Sequence, residues 1–347
     1  MIPRLNVTLA ALCFAVILSI PPNASAQEQN GTDYTLRWSP AVDSEYEYSL
    51  SISGTHNGNV TVRTEDFVVR VVDESDGAFH FDATGEPVPP SARLGYRFQR
   101  ALFPTFPYTV DELGNHMVPR GQPFPPFVNI PILPEEPVEV GGTWSGGPVG
   151  ILPDPNVGFV PFTYESTLDS VVDYRGQMCA VIKTDYTVAL QPDTVSSVPF
   201  LGLVEGDPPE EPGQGAPVGG IVEGSPAHEA GIQPGDFIIA AQGQRIRGWA
   251  GLMEILPFLV PDVEVEFTVK RGDEELRIKF APEAVPVANV TAVGGLTSLC
   301  YFSLDEGIPL KVEVSDQDLV FTLSAEGMEP EVRPMNIRIV LDYQYEG

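Results

Sequence analysis

Apolar residues recur at every second position through long runs of this chain. Tyr46, Tyr48, Leu50 and Ile52 alternate with polar neighbours, as do Val60 and Val62, and then Phe67, Val69 and Val71. The rhythm returns in Val263, Val265, Phe267 and Val269, in Leu276, Ile278 and Phe280, and in the β-rich runs 299–304, 310–314, 319–323 and 336–345. A period of two places every apolar side chain of a segment on one face of a strand, which a helix cannot do. Strands with one wet face belong to antiparallel sheets, so the expected fold class is mainly β. Turn residues separate the runs. Arg175-Gly176 between 162–174 and 177–190 predicts a hairpin, and Gly141-Gly142 before Thr143-Trp144 predicts a tight turn between two strands.

One stretch breaks the rhythm. Residues 86–137 hold 12 prolines in 52 positions, and proline neither donates to a strand ladder nor sits inside a helix. Phe103, Phe106, Tyr108, Phe124 and Phe127 lie among those prolines. Aromatics spaced this way predict an ordered belt laid over a core, not a free linker.

Charge narrows the partners. The 347 residues include 48 acidic and 19 basic side chains, a formal net charge of −29. Such a surface repels phosphate backbones and anionic lipid, so no nucleic-acid partner is expected. The carboxylates form no calcium loop of the D-x-D-x-D-G kind, and no metal or other cofactor is expected. Arg4, the apolar run 9–20, Pro21-Pro22 and Ala24-Ser25-Ala26 have the layout of a signal peptide over residues 1–26. Leu12 before Cys13 is too large for a lipoprotein site. No second apolar run has the length of a membrane span. The mature chain is expected to start at Gln27 and to be exported, to the periplasm or beyond. Only Cys179 and Cys300 then remain, and an even pair in an oxidising compartment predicts a disulfide. It would close about 120 residues.

Residues 197–284 read as a separate module. Pro199-Phe200-Leu201-Gly202-Leu203 is a glycine-containing apolar loop opening a strand. Ser225-Pro226 is a helix start, with serine as N-cap and proline at the first turn. Gly231 is placed to end that helix, and Pro234-Gly235 turns the chain. Trp249 to Leu256 carries a helical apolar stripe stopped by Pro257. Arg271-Gly272-Asp273, between two alternating runs, is a hairpin turn before it is an adhesion motif.

The run Gly224-Ser225-Pro226-Ala227-His228-Glu229-Ala230-Gly231-Ile232-Gln233-Pro234-Gly235-Asp236-Phe237-Ile238 resembles the G-S-P-A-x-x-A-G-I-x-x-G-D-x-I stretch of PDZ domains in bacterial periplasmic proteases. The resemblance covers residues 197–284. It implies a protein or peptide partner bound by strand addition beside the glycine loop. Leu201, Gly202 and Leu203 would receive a terminal carboxylate on backbone N–H groups. Phe200, Leu203, Leu252, Ile255 and Leu256 would wall the side-chain pocket. No Lys or Arg stands just before Pro199, and Asp207, Glu210 and Glu211 follow the groove strand. Their field opposes a peptide anion, which leaves three expectations: weak binding, a preference for internal or basic-flanked peptides, or a groove that no longer binds.

No catalytic residue emerges. His56, His80, His116 and His228 form no HExxH or Cys/His cluster, and neither G-x-S-x-G nor Gly-Asn-Ser-Gly-Gly occurs. Asp82-Ala83-Thr84-Gly85 is similar to the D-T-G loop of aspartic proteases, but Ala83 interrupts it and no second copy exists. The strands after the module are too few for a core of their own. The expected architecture is therefore one discontinuous antiparallel β domain, residues 31–196 and 285–347, with the PDZ-like α+β module inserted. Its strand rhythm and G-G-T-W turn weakly resemble secreted bacterial proteins of unknown function. The expected function is non-enzymatic presentation of a peptide-binding module. The alternatives are a curved sheet holding a lipid or other apolar ligand, and a cryptic hydrolase using acidic residues.

Overall fold

The computed structural model describes residues 32–344 apart from 57–58, 86–91, 103–104, 119–127, 155–157, 209–212 and 328. The signal-peptide reading of 1–26, the belt residues Phe103, Phe124 and Phe127, and the loop residues Glu210 and Glu211 lie outside the described residues.

The chain opens with β1 (Glu45–His56), β2 (Asn59–Ser75) and β3 (Ala78–Gly85). The belt supplies a helix, α1 (Leu94–Leu102), and short strands β4 (Phe106–Asp111) and β5 (His116–Met117). Then come β6 (Thr143–Asp154), β7 (Gly158–Tyr174), β8 (Gln177–Val188) and β9 (Val195–Phe200). The module holds β10 (Leu203–Glu205), β11 (Ala216–Ile221), α2 (Pro226–Glu229), β12 (Phe237–Ala241) and β13 (Gln244–Arg245). It continues through α3 (Gly248–Ile255), a 3-10 turn (Leu256–Phe258), β14 (Val265–Arg271) and β15 (Glu274–Phe280). The chain ends with β16 (Glu283–Ser303), β17 (Pro309–Ser324), β18 (Glu331–Pro334) and β19 (Ile337–Tyr343).

These strands make two antiparallel sheets. The larger runs β5-β4-β3-β2-β1-β19-β17-β16-β8-β7-β6, with β18 on β17 and β9 on β16. The C-terminal β19 lies between β1 and β17 and joins the two halves of the sequence, with Leu50 opposite Leu341 and Ile52 opposite Ile339. β16 pairs with β9 through its first half and β8 through its second. The change falls at Gly294-Gly295. Gly294 has φ +93°, and a Cβ on Gly295 would lie 2.0 Å from the Tyr186 carbonyl oxygen, so no side chain fits there. The predicted hairpin at Arg175-Gly176 is present, with both residues at positive φ. Val138 is only an isolated bridge to Tyr34, so the G-G-T-W turn leads into one strand and not between two.

The larger sheet curls around its own side chains. Phe81 in β3 and Phe302 in β16 are five strand positions apart, which in a flat sheet is roughly 24 Å. Yet Trp38 meets Phe81 at 6.3 Å and Phe302 at 6.0 Å between ring centroids, both edge to face. Leu36 and the belt residues Ile130 and Leu133 complete this buried cluster. The belt is fastened there by hydrogen bonds from Val128 N–H to the Ile151 carbonyl, Leu133 N–H to the Leu113 carbonyl, and Trp144 Nε1 to the Ile132 carbonyl. Among the described residues the inward side chains of the sheet pack on one another in one cluster.

The expected disulfide is corrected by the strand register. Cys179 and Cys300 are on paired strands, but both are free thiols. Cys300 stands opposite Ile182 and Cys179 opposite Ser303. The offset is three residues, about 10 Å along the strand, and odd, so the two side chains leave opposite faces. Neither separation nor direction suits a bond. Burial pushes the Cys179 thiol up to about 11 and the Cys300 thiol well above its ordinary value. Both are therefore poor nucleophiles. Intact mass of the folded protein should be unchanged by reductant, and iodoacetamide should label two thiols only after denaturant is added. A reductant-dependent shift of two mass units would refute this.

Candidate peptide-binding site

The smaller sheet runs β10-β11-β12-β14-β15, with β13 on β12. Its alternating residues Val265, Phe267 and Val269 are fully buried, together with Ile238, Leu252 and Ile255. One ion pair ties the module together. Asp236 is 1% exposed, and its carboxylate accepts from Arg271 Nε and Nη2 at 2.8 Å each and from the Gln233 N–H at 2.8 Å. A second contact of Arg271 Nη2 reaches the Gly231 carbonyl at 2.8 Å. The arginine of the R-G-D run is thereby engaged in holding the turn, and the run is the β14–β15 hairpin.

The glycine loop lies between the sheets. Gly202 has φ +82°, and a Cβ there would lie 2.0 Å from Ser225 Oγ, so glycine is required both by conformation and by packing. Ser225 caps α2, accepting from the His228 N–H, and Pro226 occupies the first turn as the sequence predicts. The Leu201 carbonyl accepts from Ala227 N–H and the Gly202 carbonyl from Val222 N–H. The N–H groups of Leu201 and Gly202 have no backbone acceptor among the described residues. After the loop, β10 pairs with β11 on one side and with no strand on the other among the described residues. Val204 on this edge is 49% exposed.

Placement of the sequence-derived residues divides them. Phe200 and Leu203 are half-buried at the loop, and Leu201 and Gly202 are buried within it. Leu256 is half-buried at the end of α3. Leu252 and Ile255 are corrected: both are 0% exposed in the module's core, so a ligand cannot touch them without displacing that core. The helical stripe has a second row that sequence reasoning passed over. Trp249 and Met253 join Leu256 at spacing i, i+4, i+7, on one flank of α3, and Met253 is 39% exposed. Hydrophobicity alone could not separate the two rows, because both are apolar.

Outside the module, a cleft of about 890 Å³ opens on β1, β2 and β3, with Glu45, Glu47, Asp66 and Asp82 around Tyr48 and Phe67. Its carboxylate rim is the wrong surface for a lipid tail. Ser75 Oγ lies 2.9 Å from His80 Nε2, but the other ring nitrogen faces the Thr109 hydroxyl, not a carboxylate, at 3.1 Å. Ser75 and its partner also sit on the hairpin joining β2 to β3, away from the lining of the cleft. Asp82 and Thr84 are ordinary members of β3, and Ala83 is fully buried. No group of three or more metal-ligating side chains occurs among the described residues, and no described helix is long and apolar enough to cross a membrane.

Residues 193–281 match the family model described as PDZ domain. A 109-residue segment is 32% identical to the regulator of sigma-W protease RasP of Bacillus subtilis (strain 168), covering 31% of this chain and 24% of that protein. The chain thus spans about a quarter of this relative's length. A solved structure of the HtrA-type protease AlgWS227A with decapeptide is 10% identical, covering 70% of this chain and 94% of the other, at a TM-score of 0.25. With the glycine loop, the capped α2 and α3 on one sheet, residues 193–281 form a PDZ domain.

Proposed function

We propose that this chain is an exported, non-enzymatic β scaffold whose inserted PDZ domain binds a peptide by strand addition. The observation that carries the reading is the edge of β10, which pairs with no second strand among the described residues, next to a loop whose Leu201 and Gly202 N–H groups have no backbone acceptor among them. An extended peptide pairs along β10, and its carboxylate or a backbone carbonyl is received by that loop. Phe200 and Leu203 on one wall and Trp249, Met253 and Leu256 on the other take apolar side chains. Asp207 beside the groove favours basic residues further along the ligand. The insertion fits the pairing of the incoming and outgoing strands, with Phe200 of β9 opposite Glu283 of β16. Such a two-stranded stalk lets a module be carried without interrupting the sheet. Export follows from the signal-peptide layout of residues 1–26.

A peptide library with free C-termini, presented to the mature full chain, tests the binding. Peptides with apolar C-terminal residues and upstream Lys or Arg should be enriched, and Met253→Asp should reduce their capture at least tenfold. No enrichment of any class by folded protein would remove the reading.

A further inference from the structure

The belt helix α1 reaches into both bodies of the molecule. Its Phe98 is fully buried, and its neighbours are the PDZ core residues, not those of the large sheet. Leu94 joins that cluster at its margin. The Leu94 N–H donates to Glu254 Oε1 of α3 at 2.8 Å, placing a carboxylate on the first turn of α1. At Gly95 the helices are in direct contact: a Cβ there would lie 2.3 Å from the Phe258 ring and 2.8 Å from the Glu254 carbonyl oxygen. The other end of α1 belongs to the large sheet. The Arg100 guanidinium lies 4.8 Å over the Phe106 ring, and Phe106 is buried in the sheet's own cluster. The same guanidinium is beside Gly85 at the end of β3, where a Cβ would meet Nη2 at 3.0 Å and Glu65 Oε1 at 3.1 Å.

We infer that α1 is a strut: it completes the PDZ core from about a hundred residues upstream and fixes α3, the groove wall, to the large sheet. Helical geometry separates its work from the ligand's. Gly251 and Glu254 face α1, whereas Trp249, Met253 and Leu256 lie on the opposite flank. A helix gripped on one flank presents the other at a set height above β10. Phe98 and Arg100 are accordingly positioning residues. Only the consequence for the groove rests on the peptide-binding reading; the strut itself does not.

The test uses the full mature chain with Phe98→Ala, Phe98→Leu and Arg100→Met. Spin labels on cysteines introduced at Glu165 and Glu275, both exposed, report the spacing of sheet and module, while Cys179 and Cys300 stay buried. Hydrogen exchange of residues 248–258 reports α3, with 295–303 as the internal control. Phe98→Ala should speed exchange in 248–258 by about tenfold or more and broaden the distance distribution, and Phe98→Leu should restore most of both. Arg100→Met should broaden the distribution with little change in exchange. Unchanged exchange and unchanged distance in Phe98→Ala overturn the strut. Faster exchange with an unchanged distance in all variants overturns the tie to the sheet. If Phe98→Ala does not fold, Arg100→Met decides, and an unaltered distribution there overturns the proposal. A wild-type chain that binds no labelled library peptide removes the groove reading and leaves these readouts to judge the strut.

Discussion

Replacing Asp236 by Ala should lower the melting midpoint of the PDZ domain by about 10 °C or more. The carboxylate is almost wholly enclosed and accepts three hydrogen bonds, two from one guanidinium and one from the Gln233 N–H. Removing it leaves a void in place of a buried carboxylate and the Gln233 N–H without its acceptor, and it frees the partly exposed Arg271 from the turn, a larger loss than that of an exposed pair. Arg271 also holds the Gly231 carbonyl, so the end of α2 loosens with it. Differential scanning calorimetry of the full chain, with circular dichroism to follow the sheet, checks this. A midpoint within about 2 °C of wild type would refute the ion pair as the module's main polar tie. Lys279→Ala, whose pair with Glu264 is exposed on both sides, should by contrast leave the midpoint close to wild type.

The second large effect is acid sensitivity of the sheet. His116 is packed face to face with Tyr108 at 5.9 Å and edge-on to Trp38 at 5.8 Å. His116 is half-buried, with its ring held between those two aromatic side chains. Burial lowers its pKa to about 4, outweighing the Gly114 carbonyl and the Asp111 carboxylate, which act the other way. In the unfolded chain a histidine takes its proton near 6.5. Between those values the unfolded chain binds the proton and the folded one does not. The contribution is therefore intact above pH 6.5 and is lost as pH falls toward 4, by up to about 3 kcal/mol. Urea midpoints at pH 7.5 and 4.5 should fall more steeply for wild type than for His116→Gln. Equal losses in both would show that the carboxylates alone govern the acid response.

Much of this molecule can be read from local pattern, because local pattern is what its strands and caps are made of. The alternation at Tyr46, Tyr48 and Leu50 assigns those three side chains to one face, and all three are buried. Ser225-Pro226 carries its own helix start, and Arg175-Gly176 its own hairpin. The PDZ domain is legible for the same reason: its turns and caps fall within a few dozen contiguous residues. The helix α1 was not read, although Leu94, Phe98 and Leu102 follow a helical spacing. The surrounding prolines spoke against a helix, and what stabilises this one is the α3 flank, far away in sequence.

The residue pattern by itself determined which side chains turn inward along strands such as β1 and β14, where hairpins such as Arg175-Gly176 fall and that a PDZ domain is present. Those choices depend on neighbours two to four positions away. Only the tertiary structure decided the order of strands, the three-residue stagger that keeps Cys179 from Cys300, and which apolar row of α3 faces the core. It alone also joined α1 to a helix some 150 residues onward. Each of these depends on a pairing of distant segments. Many alternative pairings bury similar apolar area, so packing of the whole chain, and not the pattern of any segment, selects among them.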